Sequence, residues 1–338
     1  MSPETLVIEV DPLNPQREVI SRAAEIIRAG GLVAFPTETV YGLGADALNS
    51  RAVKKIFVAK GRPLDNPIIV HIAESGQLKV LADSVSAEAV ALAERFWPGP
   101  LTLVLKKSAR VPDTVTAGQH TVAVRMPGSN VALALIRASG VPIAAPSANL
   151  SQRPSGTTGR HVFQDLAGRI DLVLDAGPVE IGVESTVLDI STQPPTILRP
   201  GAVTVEDLES ILGKVALGGH AELLKRSPGT RHRHYSPKAK VTLVAGKSQP
   251  EVARLLEQRA AAGRKVGVMT LRPDLYRGKQ GVVVAAMSQD LREYARQMFA
   301  SLRELDEAGV DEIIVEEVEE KGIGVAIMDR LRRAASGK

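Results

Sequence analysis

LVAFPTETVYGLGADA, residues 32–47, decides how the chain is read. Residues 32–35 are a short apolar run that reads as a buried strand. Pro36 ends it, and a polar loop rich in hydroxyls and glycine follows. Sites on α/β sheets lie beyond strand ends, so this loop is the first place to look for chemistry. Thr37, Thr39 and Tyr41 offer hydroxyl donors to a carboxylate or a phosphate. Gly42 and Gly44 permit close backbone approach. An ordinary turn is the plainer reading of the same residues.

Helix and strand signals alternate outward from this stretch. Residues 6–10 read as a strand. Residues 16–29 carry Val19, Ala23, Ile26 and Ile27 at helical spacing, and Gly30–Gly31 end that helix. Residues 52–58, 87–96 and 131–138 read as helices. Residues 68–72, 101–105, 121–125, 141–145, 185–190 and 196–198 read as strands. A closing helix spans 205–212, with Thr204 as N-cap and Asp207 three residues on. Residues 1–212 are thus one α/β domain with a mixed sheet.

Apolar periodicity stops at 213–239, where KRSPGTRHRHYSPKAK crowds Pro, Gly and basic residues. This is the expected linker, and a segment of that length is functional or disordered. From 240 the pattern is cleaner: strands at 241–246, 265–271, 281–286 and 311–316, and helices at 250–262, 289–308 and 325–335. Such alternation predicts a small parallel, Rossmann-like domain over 240–338. No GxGxxG lies between a strand and a helix, and Gly322–Ile323–Gly324 is too short a signal for a dinucleotide site. A structural, regulatory or oligomer-forming role is expected for this domain.

Composition narrows the chemistry. A length of 338 residues suits two domains, and 44% apolar with 24% charged residues is ordinary for a globular protein. Cysteine is absent, which excludes disulfides, thiolate nucleophiles and Cys-based zinc or iron–sulfur sites. The six His form no HExxH pattern, so no metal held by protein side chains is expected. Magnesium arriving with a nucleotide needs few protein ligands. A net charge of +4 suits an anionic substrate, while 3% aromatics disfavour a base-stacking platform. The N-terminus lacks a basic, then apolar, signal pattern, and no run is long enough to span a bilayer; a cytoplasmic protein is expected.

Five further segments carry candidate chemistry. In KGRPLDNPIIVHI (60–72), Lys60 and Arg62 sit at a helix end. There they either complement the helix dipole or clamp a triphosphate. Asn66 and His71 follow, the latter read more readily as a core histidine. FWPGPLTLVL (96–105) reads as a structural corner. In TVAVRMP (121–127), Arg125 lies in an apolar strand and needs either an internal carboxylate or a bound one. APSANLSQRPSGT (145–157) offers backbone NH groups and hydroxyls to phosphate. It is neither a Walker A loop nor a GxSxG elbow. Finally GVESTVLDI (182–190) and ILRPG (197–201) place Ser185 at a strand start and Arg199 at a strand end.

Taken in order, PTETVYGLG, KGRPxxNP, FWPGPLT, VAVRMP, APSAN and STVLD…LRPG resemble the YrdC-like domain of threonylcarbamoyl-AMP synthases over residues 15–212. With the linker and tail, the whole chain resembles the long, two-domain form of that family. The resemblance implies a twisted α/β domain around a basic central concavity, and an enzyme that joins L-threonine, bicarbonate or CO2, and ATP into threonylcarbamoyl-AMP, releasing pyrophosphate. A downstream threonylcarbamoyl-transferase complex would then modify tRNA next to the anticodon, with direct tRNA contact weak. The family pattern places Thr39, His71, Arg125, Ala145 and Ser185 around threonine. It places Arg62, Asn66, Thr121, Ser147, Ser155 and Arg199 around ATP. Lys60 and Arg62 would stabilise charge in the adenylyl transfer; Lys60 matches the family's KxR pattern and Asn149 its SxN pattern. The linker would close over the site as a lid, with His234 on ATP and Tyr235 as a lid contact. Three rivals exist: an RNA-binding module, a carbamoyl-transfer enzyme of hydrogenase maturation and a regulatory nucleotide-binding protein. The second carries Cys-based zinc motifs, which zero cysteines oppose.

Overall fold

A computed structural model describes residues 4–218, 235–245 and 249–336. The described residues divide into two compact units. The second takes in the residues from Tyr235 onward together with 152–154 and 181–183, and the first takes in the rest.

The first unit is built on eleven strands: β1 (Leu6–Glu9), β2 (Val33–Phe35), β3 (Gly42–Asp46), β4 (Val70–His71), β5 (Leu101–Lys106), β6 (Thr121–Arg125), β7 (Ile143–Ala144), β8 (Leu172–Asp175), β9 (Thr186–Asp189), β10 (Thr196–Arg199) and β11 (Ala216–Leu217). They form one sheet in the order β1-β8-β2-β3-β7-β4-β6-β5-β9-β10-β11. Parallel and antiparallel pairs are interspersed, so the expected mixed sheet is what forms. Around it lie α1 (Arg17–Arg28), α2 (Ser50–Lys60), α3 (Leu78–Leu81), α4 (Ala87–Phe96), α5 (Asp113–Thr116), α6 (Asn130–Ser139), α7 (Gly159–Leu166) and α8 (Val205–Leu212).

Local chemistry sets the ends that matter. Asn49 caps α2 by accepting from the Arg51 and Ala52 amides, and Gly61 stops it at φ +61°. That stop turns the chain from Lys60 into Arg62. Thr204 and Asp207 form the expected capping box on α8.

Three expectations need correction. Residues 42–46, read as loop, are β3, hydrogen-bonded to both β2 and β7. A Cβ on Gly44 would lie 2.7 Å from the Phe35 ring and 2.8 Å from Ile143. This glycine therefore permits strand packing, not ligand approach. Strands expected over 68–72 and 141–145 shrink to two residues each; Ile68 turns its amide out of the ladder to the Val115 carbonyl. Ala216–Leu217, within the stretch read as linker, adds a parallel strand to β10.

The second unit has four parallel strands, β12 (Lys240–Val244), β13 (Val266–Thr270), β14 (Val282–Ala286) and β15 (Glu312–Glu316), in the order β12-β15-β13-β14. Helices α9 (Gln249–Ala261), α10 (Leu291–Glu307) and α11 (Gly324–Ala335) connect and follow them. Every element expected here is present, with ends shifted by one or two residues.

Candidate active site

The site grows from strand ends in the middle of the large sheet. β4 and β6 run parallel with His71 beside Arg125 in register, so the two side chains share a face. Both are buried. The Phe35 ring, at the end of β2, meets His71 edge-on at 6.2 Å. Burial, reinforced by the Arg125 charge, pushes the His71 imidazole down to about 3. At neutral pH it is therefore uncharged and a poor proton acceptor, and Nδ1 has no hydrogen-bond partner among the described residues.

Arg125 is 3% exposed. Its Nη1 donates to Thr39 Oγ1 at 3.0 Å and its Nε to the Gly99 carbonyl at 3.1 Å. Its Nη2 lies 2.6 Å from Glu38 Oε1. Of the two partners the sequence allows, the structure supplies the internal one. The contact is close in charge but poorly aligned. Among the described residues neither Glu38 oxygen nor Arg125 Nη2 makes a directional hydrogen bond. Thr37 braces the loop by donating to the Val40 carbonyl at 2.6 Å, with its Oγ1 2.8 Å from that of Thr39.

The β7 exit forms a second wall. Ala145 donates its amide to the Ile69 carbonyl, and Ala148 donates to that of Tyr41. Lys60, 2% exposed, donates to the Ser147 carbonyl at 2.6 Å and the Asn149 carbonyl at 2.5 Å. A buried ammonium needs such acceptors. Lys60 thus anchors the loop carrying Ser147. Arg62 likewise donates to the Pro67 carbonyl at 2.9 Å, across the turn that holds Asn66.

A third cluster gathers at β9 and β10. Arg199 directs Nε and Nη2 at the Ser185 carbonyl, 3.1 and 3.0 Å, and Nη2 at Ser185 Oγ, 3.1 Å. Thr102 Oγ1 lies 2.8 Å from the same hydroxyl. Ser155 donates to Glu184 Oε1 at 2.5 Å. Thr121 opens β6, four residues before Arg125.

Register and hydrogen bonds thus join Thr39, His71 and Arg125 into one group, Lys60 and Ser147 into another, and Ser185 and Arg199 into a third. Tyr41, read as a ligand donor, is instead a strut. It is wholly buried, and its hydroxyl donates to the Gly177 carbonyl at 2.7 Å and stands 3.1 Å from Asp175. Burial, then the Asp175 charge, raises its pKa well above the usual tyrosine range. Tyr235 is buried within the second unit at φ +64°, its ring 5.3 Å from that of Phe299 with the Arg330 guanidinium over it at 5.6 Å. His234 lies outside the described residues. Sequence reasoning missed Glu38, Gly99, Thr102 and Glu184. An acid between two threonines after Pro36 was the one signal for the first of them.

Comparison with known proteins decides the family. A domain model covering the Sua5, YciO and YrdC proteins, described as telomere recombination, matches residues 25–201. A model described as the threonylcarbamoyl-AMP synthase C-terminal domain matches 203–336. The chain belongs to the threonylcarbamoyl-AMP synthase family, in its long, two-domain form. It is an enzyme of that adenylyl-transferring family. A threonylcarbamoyl-AMP synthase of Pyrococcus abyssi is 49% identical over 320 residues, 93% of each chain. One of Bacillus subtilis is 46% identical over 97% of this chain and 96% of its own. The crystal structure of P. abyssi Sua5 complexed with L-threonine matches with a TM-score of 0.92 at 46% identity, over 98% of both chains. Among the described residues no helix is long and apolar enough to cross a membrane.

Proposed function

We propose that this enzyme condenses L-threonine, bicarbonate or CO2, and ATP to threonylcarbamoyl-AMP and pyrophosphate. The observation that carries the reading is the buried group of Arg125, Thr39 and His71, in a chain that matches a threonine-bound relative along its length. Arg125 pairs with the threonine carboxylate. Thr39, the neutral His71, the Ala145 backbone and Ser185 fix the rest of the amino acid. Arg62, Asn66, Thr121, Ser147, Ser155 and Arg199 hold the nucleotide, which enters with magnesium as part of the substrate. His234 and Tyr235 belong to a lid from the 213–239 segment, which joins a synthase domain over 1–212 to a tail over 240–338.

Arrangement does most of the chemical work. The carbamate of threonine attacks the α-phosphorus in line with departing pyrophosphate, so positioning and cationic charge carry catalysis. Lys60 contributes by fixing the Ser147 loop, and Arg62 by its guanidinium. The product passes to a tRNA-modifying transferase in the cytoplasm. Pyrophosphate release by the purified enzyme is the test, with threonine and bicarbonate each supplied or withheld. Release that requires both is expected. Release that needs neither, or none at all from folded protein, overturns the reading.

A further inference from the structure

Glu38 is 7% exposed, and neither carboxylate oxygen has an aligned donor among the described residues. A buried carboxylate without hydrogen bonds is costly, and its contact with Arg125 offsets only part of that cost. Such a group calls for an explanation, and a catalytic role is one. Its surroundings show what that use is. On one side lie Arg125 at 2.6 Å and, next in sequence, Thr39. On the other, Glu38 lines a cavity of about 100 Å³ shared with Thr37, Ser129, Asn130 and Glu180. Leu13, 72% exposed, lies at the rim of this cavity, so it leads to solvent. Glu38 thus borders both the amino-acid group and a cavity that leads to solvent.

We infer that Glu38 is the proton acceptor of the threonine site, held on Arg125 until the substrate carboxylate takes that guanidinium. This inference rests on the synthase reading above. A substrate amino acid brings its own carboxylate to Arg125, and the two carboxylates cannot share one guanidinium face without repulsion. Glu38 gives way and meets the substrate's α-ammonium. Its carboxylate then takes one ammonium proton, breaking an N–H bond and forming a carboxyl O–H. The freed amine lone pair attacks bicarbonate, forming C–N as hydroxide departs. That hydroxide takes the second amine proton and leaves as water. Ammonium, carboxylate and bicarbonate thereby become carbamate, carboxylic acid and water, with atoms and charge balanced. The Glu38 proton then leaves through the cavity. The other buried acid nearby, Glu184, already accepts from Ser155.

The isosteric Glu38→Gln substitution tests the inference, with threonine- and bicarbonate-dependent pyrophosphate release measured from pH 6 to 9.5. General-base removal costs about 10²- to 10⁴-fold, so a loss in that range is expected at pH 7. The variant's rate should climb about tenfold per pH unit as free threonine deprotonates, regaining about 100-fold between pH 7 and 9. Threonine affinity by calorimetry should change less than tenfold, and Glu38→Asp should recover part of the rate. A variant within threefold of wild type at pH 7 overturns the inference, as does a loss whose pH profile parallels wild type. Wild type run alongside keeps the two readings apart. Without substrate-dependent release from wild type, the synthase reading itself fails.

Discussion

Glu38 and Glu316 are both buried glutamates beside an arginine, one in each unit, and their surroundings could hardly differ more. Glu316 ends β15 and accepts from Thr270 Oγ1 at 2.6 Å, Tyr276 OH at 2.9 Å and Arg272 Nη2 at 3.3 Å. At the other end of the strand, Glu312 takes Arg259 Nε at 2.6 Å and Thr242 Oγ1 at 2.6 Å. Among the described residues Glu38 has one ion-pair contact and no aligned donor. Satisfied carboxylates hold a fold together. One left short of donors marks a place where the fold waits for another group. This difference separates a scaffold from a site more sharply than burial does.

The largest effect should come from Arg125→Ala. It leaves Glu38 buried without its counter-charge, and breaking a buried pair in this way costs about 3–5 kcal/mol. Urea unfolding should show that loss, and calorimetry should show threonine binding weakened by at least about 100-fold, the scale for removing a buried charged partner. Adding Glu38→Gln should restore most of the stability and none of the binding. If both return together, the pair is structural and the contrast with Glu316 collapses.

A smaller effect is expected on acidification. His71 binds its proton in the unfolded chain near the ordinary 6.5 but in the folded protein only at about 3. The unfolded state therefore holds more protons between those values, and stability falls as pH drops through that window. From pH 7 to 5 this histidine alone should cost about 2 kcal/mol. His71→Asn should flatten the urea midpoint over that range by the corresponding amount. An unchanged slope would show His71 to be charged in the folded site.

Glu316→Gln should give a milder loss, about 1–3 kcal/mol, because three donors lose a charged acceptor. Threonine-dependent turnover should stay within about twofold of wild type. Tyr276 is the alkaline counterpart of His71. Burial and Glu316 push it up to about 12, so its share of stability holds below the unfolded tyrosine pKa near 10 and fades as pH rises from there to 12. Glu316→Gln should weaken that alkaline slope. A large drop in turnover from this variant would place function in the second unit as well.

The same contrast explains what sequence could reveal. The parallel unit was legible almost element by element, because its strands and helices alternate cleanly and each apolar run belongs to one element. The mixed sheet was harder. β3 hides inside PTETVYGLGADA because its glycines serve close packing against Phe35 and Ile143, and glycine in a strand reads as turn. β8 and β11 are four and two residues long, too short for periodicity to register. Among site residues, Arg125 announced itself as a charge in an apolar strand. Tyr41 misled, since nothing local tells a strut's hydroxyl from a ligand donor. The role of Lys60 as a loop anchor and the pairing of Glu38 with Arg125 span 87 residues each, through contacts that only the fold creates.

The most direct measurement is a crystal structure of this enzyme with L-threonine bound. Arg125 should bear the ligand carboxylate, with Glu38 displaced from the guanidinium and turned to the α-ammonium. Threonine seated with the Arg125–Glu38 pair intact would contradict both the exchange of carboxylates and the reading of Glu38 as a group kept for the substrate.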